Sequence, residues 1–358
     1  MRKVNFRFCS ILVSCLFVCG SFLPALAMEA KLSGQINQMA MYADDGVESD
    51  FFITDNDASS TRVRIDASET FGKIKAGIRF EIEAQRNASN KVTINQTDDG
   101  SFEWNDRWLN VYFGTSVGTF EIGKGNSAAN ETTEVDLSGT SLITYSDIST
   151  TGGSLVWRNS DGTGFRGGID IGDTRTNFDG ALSRTQRLRY NTPKFAGFTL
   201  SGAVSNGGAW DASVWYSAEL YGKLAGAIGY TNTARKGSYN QLAGSISWLA
   251  PFGLSITAAC GQRDLESNEV AAGKDDPSGY YFKVGYKTGI HAVSVEYGMT
   301  EDLHTNGDES SNYGIGYVVK PWKPVEFYAG YRLYKLEVST GSDPEDIQVA
   351  AAGTRIKF

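Results

Sequence analysis

Hydrophobic and polar residues alternate along most of the chain, in segments of about ten residues separated by clusters of Gly, Asn or Asp. In the segment 73–85, Ile74 and Ile78 share one face, whereas Arg79 and Glu81 share the other. Strict alternation of this kind predicts a β-strand with one apolar and one polar face. The chain is therefore predicted to be all-β and built from amphipathic strands.

The connections between these segments alternate in length. Turns of a few residues, such as Gly114–Gly118 and Pro193–Gly197, exchange with long polar loops, such as Asp44–Ser60 and Asn87–Asn105. Outer-membrane barrels have short turns at one end and long loops at the other. A soluble β-sandwich also alternates apolar and polar residues, but its connections do not sort by length and its strands are shorter. The pattern favours a membrane barrel, with the sandwich as the alternative.

The number of strands depends on one hairpin. All alternating segments together give eighteen strands, but the hairpin 152–171 is rich in Gly and lacks a continuous apolar face. Assigning it to the preceding long loop leaves sixteen. The first strand, Lys31–Tyr42, and the last, Ile347–Phe358, must then pair, because an open sheet edge in lipid leaves backbone groups unsatisfied. We predict a transmembrane antiparallel β-barrel of 16 strands, with 18 as the alternative.

Aromatic residues support the membrane interpretation. Several lie near predicted strand ends, where an amphipathic ring suits the level of the lipid headgroups. These residues are Trp104, Trp108, Tyr112, Trp210, Trp248, Tyr280, Tyr297 and Trp322. Any one of them could serve ordinary cross-strand packing, but together they indicate an aromatic belt.

Residues 1–27 have the pattern of a signal peptide. Basic residues open the segment, a short apolar run follows, and an Ala-Leu-Ala sequence ends it in the form of a cleavage site. We predict cleavage before Met28, so that the barrel domain spans 28–358. Cleavage would remove three of the four cysteines and leave Cys260, so no intramolecular disulfide is expected in the exported chain.

The charge balance limits the partners. The formal net charge is −8, and the predicted cleavage removes only basic residues, so the exported chain is more acidic still. An acidic chain is a poor partner for nucleic acid. After residue 27 no apolar run approaches the roughly 18 residues that a transmembrane helix needs, so a membrane role must rest on strands.

Four stretches carry a resemblance to a known family. They are KLSGQ at 31–35, the hairpin 113–124 with its terminal Phe-Gly and Gly-Lys pairs, RLRYNTPKFAGF at 187–198, and IKF at 356–358. With them the chain resembles the general diffusion porins of Gram-negative outer membranes, over essentially its whole exported length. One departure is Lys124, because the family often has Arg at this position.

The resemblance implies a homotrimer of sixteen-stranded barrels in outer-membrane lipid, with a third loop that folds into the lumen and narrows it. It also implies that the barrel-assembly machinery recognises the C-terminal Phe358. The expected constriction loop is 125–184. The expected function is a water-filled channel for passive diffusion of small hydrophilic solutes and ions, and a substrate-selective porin that binds an anionic or sugar-like solute is the alternative.

Charged residues of opposite sign are expected to face each other across the pore. Inward parity places five arginines on the lumen face of the wall, and Arg107 is added to this basic set: Arg62, Arg64, Arg79, Arg187 and Arg189, with Arg107. Arg107 is the weakest member, because the apolar Leu109 and Val111 share its parity. The loop supplies an acidic set: Glu131, Glu134, Asp136 and Asp147. Such an arrangement would set a transverse field that orients dipolar solutes, and ordinary solvated ion pairs are the alternative.

Metal and catalytic sites have less support in the sequence. Calcium favours carboxylate oxygens, and four aspartates of the loop could supply them: Asp161, Asp170, Asp173 and Asp179. No EF-hand spacing is present, so no cofactor is expected and calcium stays an open alternative. The chain has two histidines and no serine-hydrolase, zinc-protease or P-loop motif. We therefore expect no enzymatic activity.

Overall fold

The computed structural model describes residues 28–98, 100, 102–233, 239–266, 269–270 and 273–358. The predicted signal peptide, residues 1–27, lies outside the described residues. In the described part of the chain, no helix has the length and apolar character needed to cross a membrane.

Seventeen strands of the described residues form one antiparallel sheet that closes on itself through a pairing of the first strand with the last. The strands are β1 Glu29–Asp44, β2 Ser49–Asp55, β3 Arg62–Phe71, β4 Ile74–Arg86, β5 Phe102–Thr115, β6 Gly118–Asn126, β7 Arg184–Asn191, β8 Phe198–Ser205, β9 Trp210–Glu219, β10 Lys223–Asn232, β11 Tyr239–Leu249, β12 Leu254–Leu265, β13 Ser278–Thr288, β14 His291–Glu301, β15 Glu309–Trp322, β16 Val325–Glu337 and β17 Ile347–Lys357. Short helices lie at Asp57–Ser59, Ile148–Thr150, Phe165–Gly167, Ile171–Thr174 and Asn206–Gly208.

The barrel has sixteen wall positions, because β2 and β3 share one of them. β2 pairs with the second half of β1 and β3 pairs with the first half. The predicted count of 16 is confirmed and the alternative of 18 is wrong. The hairpin 152–171 does not join the wall, since it makes only the isolated bridges Val156–Asp170 and Arg158–Gly164.

An inward excursion, Asn56–Ser60, separates β2 from β3. Here the predicted loop Asp44–Ser60 is wrong, because it contains a strand. The alternation rule missed β2 because Phe51, Phe52 and Ile53 are consecutive and show no period of two. Phe52 is buried on the inner face, whereas Phe51 and Ile53 are exposed on the outer face.

Buried side chains replace the wall hydrogen bonds at the excursion. Gln35 Nε2 donates to the backbone oxygen and to the hydroxyl of Ser59, both at 2.9 Å. Asn56 caps the short helix by accepting from the Ala58 amide at 3.0 Å. These bonds satisfy polar groups that would otherwise be unpaired in the interior.

The seam between β1 and β17 closes on the C-terminal residue. The Gly34 amide donates to Phe358 O at 2.9 Å, and the Phe358 amide donates to Gly34 O at 3.0 Å. A Cβ on Gly34 would lie 2.5 Å from the Phe358 ring and 2.6 Å from Arg62 O. Glycine is therefore required here for the close approach of the two strands.

The wall has an apolar outer face and a polar inner face. On β1, Leu32 and Ile36 are 62% and 55% exposed, whereas the alternating Gln35 and Asn37 are buried. Most residues of the predicted aromatic belt face outward, but Trp108 does not. Its ring lies 4.9 Å from the guanidinium of Arg79 on the inner face. Tyr112 has the same inward parity, so both residues are corrections to the predicted belt.

The two ends of the barrel differ. One end, the turn end, carries connections of a few residues and both termini of the sheet. The other end, the loop end, carries the longer connections, including 87–101, 127–183, 302–308 and 338–346. The predicted strict alternation in length is wrong at 206–209, a four-residue connection at the loop end.

Candidate functional site

The longest connection, residues 127–183, enters and leaves the wall at one place. It joins β6 to β7, and the Ser127 amide donates to Ser183 O at 3.0 Å. Between these ends it hydrogen-bonds to wall side chains that alternate with the exposed apolar residues. We call residues 127–183 the inner loop.

The first part of the inner loop is held by β9 and β11. The Asp211 carboxylate accepts from the backbone amides of Ala128 and Ala129 at 3.0 and 2.8 Å. Ser245 Oγ donates to Thr132 O at 2.6 Å. Asp211 and Ser245 are buried polar residues with inward parity, so the loop backbone lies on the inner face of the wall.

Lys283 on β13 anchors the middle of the inner loop. Its ammonium lies 2.7 Å from Asp136 Oδ2 and donates to Thr144 O at 2.5 Å. The Lys283 side chain is 1% exposed. Burial opposes ionisation of Asp136, but the Lys283 ammonium outweighs it, and the pKa of Asp136 falls below its usual value.

Arg332 on β16 provides a second anchor. Its Nε donates to Glu296 Oε1 at 2.8 Å, and its two other nitrogens donate to Ile143 O at 3.1 Å and Ile148 O at 3.3 Å. Both charged side chains are almost completely buried. A guanidinium suits this place because its rigid fork can serve a carboxylate and two carbonyls at once.

An apolar cluster lies between the inner loop and the wall. The loop contributes Leu142, Ile143, Ile148, Leu155, Trp157, Phe165, Ile169 and Ile171. The wall contributes residues on both sides of the seam, including Met39, Met41, Phe52, Tyr328, Tyr334, Ile347 and Val349. This part of the lumen is filled, so the open space lies elsewhere.

A cavity of about 700 Å³ lies between the inner loop and the wall near β3, β4 and β5. Its lining includes seven carboxylates: Asp57, Glu83, Glu131, Glu134, Asp136, Asp147 and Asp179. It includes three guanidinium groups: Arg62, Arg107 and Arg184. All four predicted loop acids therefore line one cavity, together with two of the six predicted basic residues.

Arg107 reaches the cavity through a β-bulge. The pairing of β4 with β5 shifts by one residue between Glu81 and Ile82, opposite Arg107. The shift releases Arg107 from the outward parity of Leu109, so its guanidinium donates to Glu81 at 2.8 Å and to Glu83 at 2.5 Å. A bulge of this kind re-aims a side chain, and strict parity could not predict it.

The other four predicted basic residues do not line the cavity, because neighbouring groups hold them elsewhere on the inner face. Arg64 is held by Glu81 (2.5 Å), Arg79 by Asp66 (3.1 Å), Arg187 by Asn126 O (2.9 Å) and Arg189 by Ser127 O (2.9 Å). Arg187 and Arg189 thus fix the entry of the inner loop.

Four cavity acids have no ion-pair partner among the described residues: Asp57 in the excursion between β2 and β3, and Glu134, Asp147 and Asp179 of the inner loop. Burial raises the pKa of Asp179 to about 7. Burial, with the nearby Asp179 carboxylate, raises the pKa of Glu134 well above its usual range, and burial also raises the pKa of Asp147. By contrast, Glu131 lies 3.5 Å from Arg184. The loop side of the cavity thus carries acids that ionise at higher pH than usual, and the charge of Asp179 grows as pH rises through neutrality.

Among the lining residues that sequence reasoning missed are the three charged residues Asp57, Glu83 and Arg184, and the aromatic Trp215. Glu83 lies on the polar face of an alternating segment, so parity could have found it. Trp215 follows the outward-facing Val214, so the alternation could also have placed Trp215 on the inner face. Asp57 lies in the excursion between β2 and β3, where no period exists.

The four calcium candidates have different roles. Asp161 accepts from the Thr163 amide at 2.9 Å. Asp170 and Asp173 cap the helix 171–174 reciprocally, and Asp179 lines the cavity. Within the described residues, no group of three or more His, Cys, Asp or Glu side chains is placed to hold a metal ion.

Comparisons with known proteins place the chain in a family. A family model for Gram-negative porins matches residues 13–339. The anion-selective porin from Comamonas acidovorans has 16% identity and a TM-score of 0.64, with 92% of this chain and 99% of that chain covered. The outer membrane channel DcaP of Acinetobacter baumannii has 13% identity and a TM-score of 0.59, with 94% and 99% covered.

A third solved structure is the trimer form of in-vitro folded OmpT, an outer membrane protein of Vibrio cholerae. It has 14% identity and a TM-score of 0.56, with 93% of this chain and 100% of that chain covered. No curated protein sequence matches the chain. At identities of 13–16% the solved structures establish only the fold. The family model matches most of the sequence and therefore establishes the family. The chain belongs to the Gram-negative porin family.

Proposed function

We propose that this protein forms a water-filled outer-membrane channel for passive diffusion of small hydrophilic solutes and ions. The observation that carries the proposal is the closed barrel, apolar outside and polar inside, with a charged cavity of about 700 Å³. Purified protein is expected to form ohmic, long-lived channels in a planar bilayer. Failure to form such channels at any voltage would contradict the proposal.

Assembly and export complete the proposal. Removal of residues 1–27, homotrimer formation and recognition of Phe358 by the barrel-assembly machinery are part of it. The trimer is supported by the similarity to a solved trimer. The exposed Phe358 at the seam, 60% accessible, is available for recognition before closure.

We further propose that the inner loop is the constriction and that it favours cations. Seven carboxylates and three guanidinium groups line the cavity. All three guanidinium groups lie within ion-pair distance of a carboxylate, whereas Asp57, Glu134, Asp147 and Asp179 have no ion-pair partner among the described residues. A narrow aqueous space with excess fixed negative charge concentrates cations and repels anions. The alternative, a site for an anionic solute, has no unpaired basic group in this lining to support it.

Neutralising the three unpaired acids of the inner loop is expected to weaken the cation preference. In the variant Glu134→Gln, Asp147→Asn, Asp179→Asn, the cation-to-anion permeability ratio from reversal potentials under a salt gradient should fall about three-fold or more at pH 8. Single-channel conductance should change less, because the amides are isosteric with the acids.

A matched control removes the same charge from exposed positions at the loop end: Glu48→Gln, Asp264→Asn and Glu266→Gln. It should change the permeability ratio much less, because salt screens exposed charges that lie more than a Debye length away. Equal effects in the two variants would contradict the assignment of selectivity to the cavity.

The cation preference is expected to rise with pH. The pKa of Asp179 is raised to about 7, so this acid is largely neutral at pH 5.5 and charged at pH 8.5, and the pKa of Glu134 is raised in the same direction. Reversal potentials measured from pH 5.5 to 8.5 should therefore shift toward the cation value as pH increases. The triple amide variant should lose most of this shift, and an unchanged shift in that variant would show that other groups titrate.

A further inference from the structure

A ring of lysines marks the turn end of the lumen. Six lysines near the turn ends of their strands share the inward parity of the buried residues: Lys31, Lys75, Lys223, Lys287, Lys320 and Lys357. They come from β1, β4, β10, β13, β15 and β17, so they are distributed around the barrel. We call them the lysine ring.

Part of the lysine ring shares one carboxylate. Lys320 Nζ lies 2.5 Å from Glu326 and Lys357 Nζ lies 3.3 Å from it. Arg355 pairs with the same carboxylate. Three cations around a single acid leave a net positive charge on this side of the mouth.

The other four lysines of the ring are exposed and have no ion-pair partner among the described residues. Besides Glu326, two inward carboxylates lie at this level: Glu29 on β1 and Glu219, which stands opposite Lys223 in the ladder of β9 and β10. The basic groups outnumber them, so the turn end of the lumen is positive.

The opposite half of the pore is negative. The cavity lining has an excess of carboxylates, as shown above. The loop end adds exposed acids, among them Glu48, Asp264 and Asp276. The hydrocarbon core of a bilayer is roughly 30 Å thick, whereas the Debye length at 0.1 M salt is about 10 Å. Along β4, eight residues separate Lys75 from the cavity residue Glu83, about 26 Å at roughly 3.3 Å per residue, so on this side of the pore the two zones lie more than a Debye length apart. On β13 the Lys287 side chain reaches the inner loop, where a Cβ on Gly139 would lie 3.7 Å from its Cδ.

We infer that the channel is bipolar along its axis and therefore rectifies ionic current. The inference rests on the proposed function as a diffusion channel. Cations are the majority carriers in the acidic zone and anions in the basic zone. When the loop side is positive, both carriers move toward the junction of the zones and accumulate there. When it is negative, both are withdrawn and the junction is depleted.

Conductance is consequently expected to be larger with the loop side positive. In a planar bilayer at 0.05 M KCl and pH 8, the ratio of currents at opposite voltages of equal size should be about two, and it should approach one at 1 M KCl because the Debye length shrinks to about 3 Å. The orientation of the inserted channel is determined with a Lys287→Cys, Cys260→Ala variant. A charged thiol reagent is added to one side of the bilayer, and its effect on the current shows whether the turn end faces that side.

The decisive variant changes the four unpaired lysines to glutamine: Lys31→Gln, Lys75→Gln, Lys223→Gln and Lys287→Gln. Its current ratio at 0.05 M KCl should fall close to one, while the matched variant with arginine at all four positions should keep the ratio of the natural protein. Symmetric currents in the natural protein, or an unchanged ratio in the glutamine variant, would overturn the inference and leave the diffusion channel standing. Absence of any channel would instead contradict the proposed function.

Discussion

Replacing residues 131–179 by two glycines is expected to raise single-channel conductance about two- to three-fold, because the inner loop occupies much of the lumen cross-section. Residues 130 and 180 already lie side by side, since a Cβ built on Gly180 would be 2.5 Å from the Asn130 amide nitrogen. Two glycines can therefore join them without strain. It also removes Glu134, Asp147 and Asp179, the unpaired acids of the inner loop, so the cation preference should fall with it. Single-channel recording at 1 M KCl measures the first effect and reversal potentials measure the second.

A control deletion separates lumen geometry from general damage. Replacing 339–345, a connection at the loop end, by two glycines should leave the conductance within the spread of the natural protein. Both variants should still fold, because the wall ladders do not include these segments, but the inner-loop deletion also removes the loop half of the apolar cluster and should lower the free energy of unfolding. An inner-loop deletion that assembles but conducts like the natural protein would show that residues 131–179 do not limit the pore.

Changing Arg332 to Met is expected to lower the free energy of unfolding by about 3–5 kcal/mol, because it leaves the buried Glu296 carboxylate without a cation. It also removes the donors to Ile143 O and Ile148 O. The inner loop should therefore detach locally, giving noisier open channels and faster chymotrypsin cleavage after Tyr145. Urea unfolding in lipid vesicles and limited proteolysis measure the two effects.

Lys335→Met provides the matched control on the same strand. Lys335 pairs with Asp346 at 2.7 Å, but both side chains are about 40% exposed. Exposed pairs contribute about 0–1 kcal/mol, so this variant should unfold and conduct like the natural protein. If Arg332→Met and Lys335→Met behave alike, Arg332 is not an anchor of the inner loop. Adding Glu296→Gln to Arg332→Met should restore part of the lost stability.

Local periodicity predicted the wall well because it reports directly on which face meets lipid. It failed at β2, where Phe51, Phe52 and Ile53 follow one another, and at Arg107, where a bulge changes the parity. Both failures occur where the regular wall is interrupted next to the lumen. β2 lies beside the inward excursion, and the side chain of Arg107 lines the cavity. Their cause lies in contacts with other parts of the chain.

The sequence predicted which types of residue form the candidate site, but it did not predict which of them pair with one another. An acidic run in a long loop was enough to identify Glu134 and Asp147 as lumen acids. Which acids keep a free charge depends on partners far away in sequence, such as Lys283 for Asp136, which is 147 residues distant. No local pattern encodes such a pairing, so the division into paired and unpaired carboxylates needed the structure.

The apolar cluster beneath the inner loop has a consequence for how this pore can diversify. Its wall residues belong to both sides of the β1–β17 seam, with Met39 and Met41 on one side and Ile347 and Val349 on the other. The inner loop therefore holds β1 and β17 together from inside the barrel, at the seam between the two ends of the sheet. Substitutions of its unpaired acids Glu134, Asp147 and Asp179 can change which solutes pass at little structural cost, because no buried cation depends on them. Substitutions in its apolar segment would weaken barrel closure. The unpaired acids are therefore the positions of the inner loop at which permeability can change with the least effect on stability.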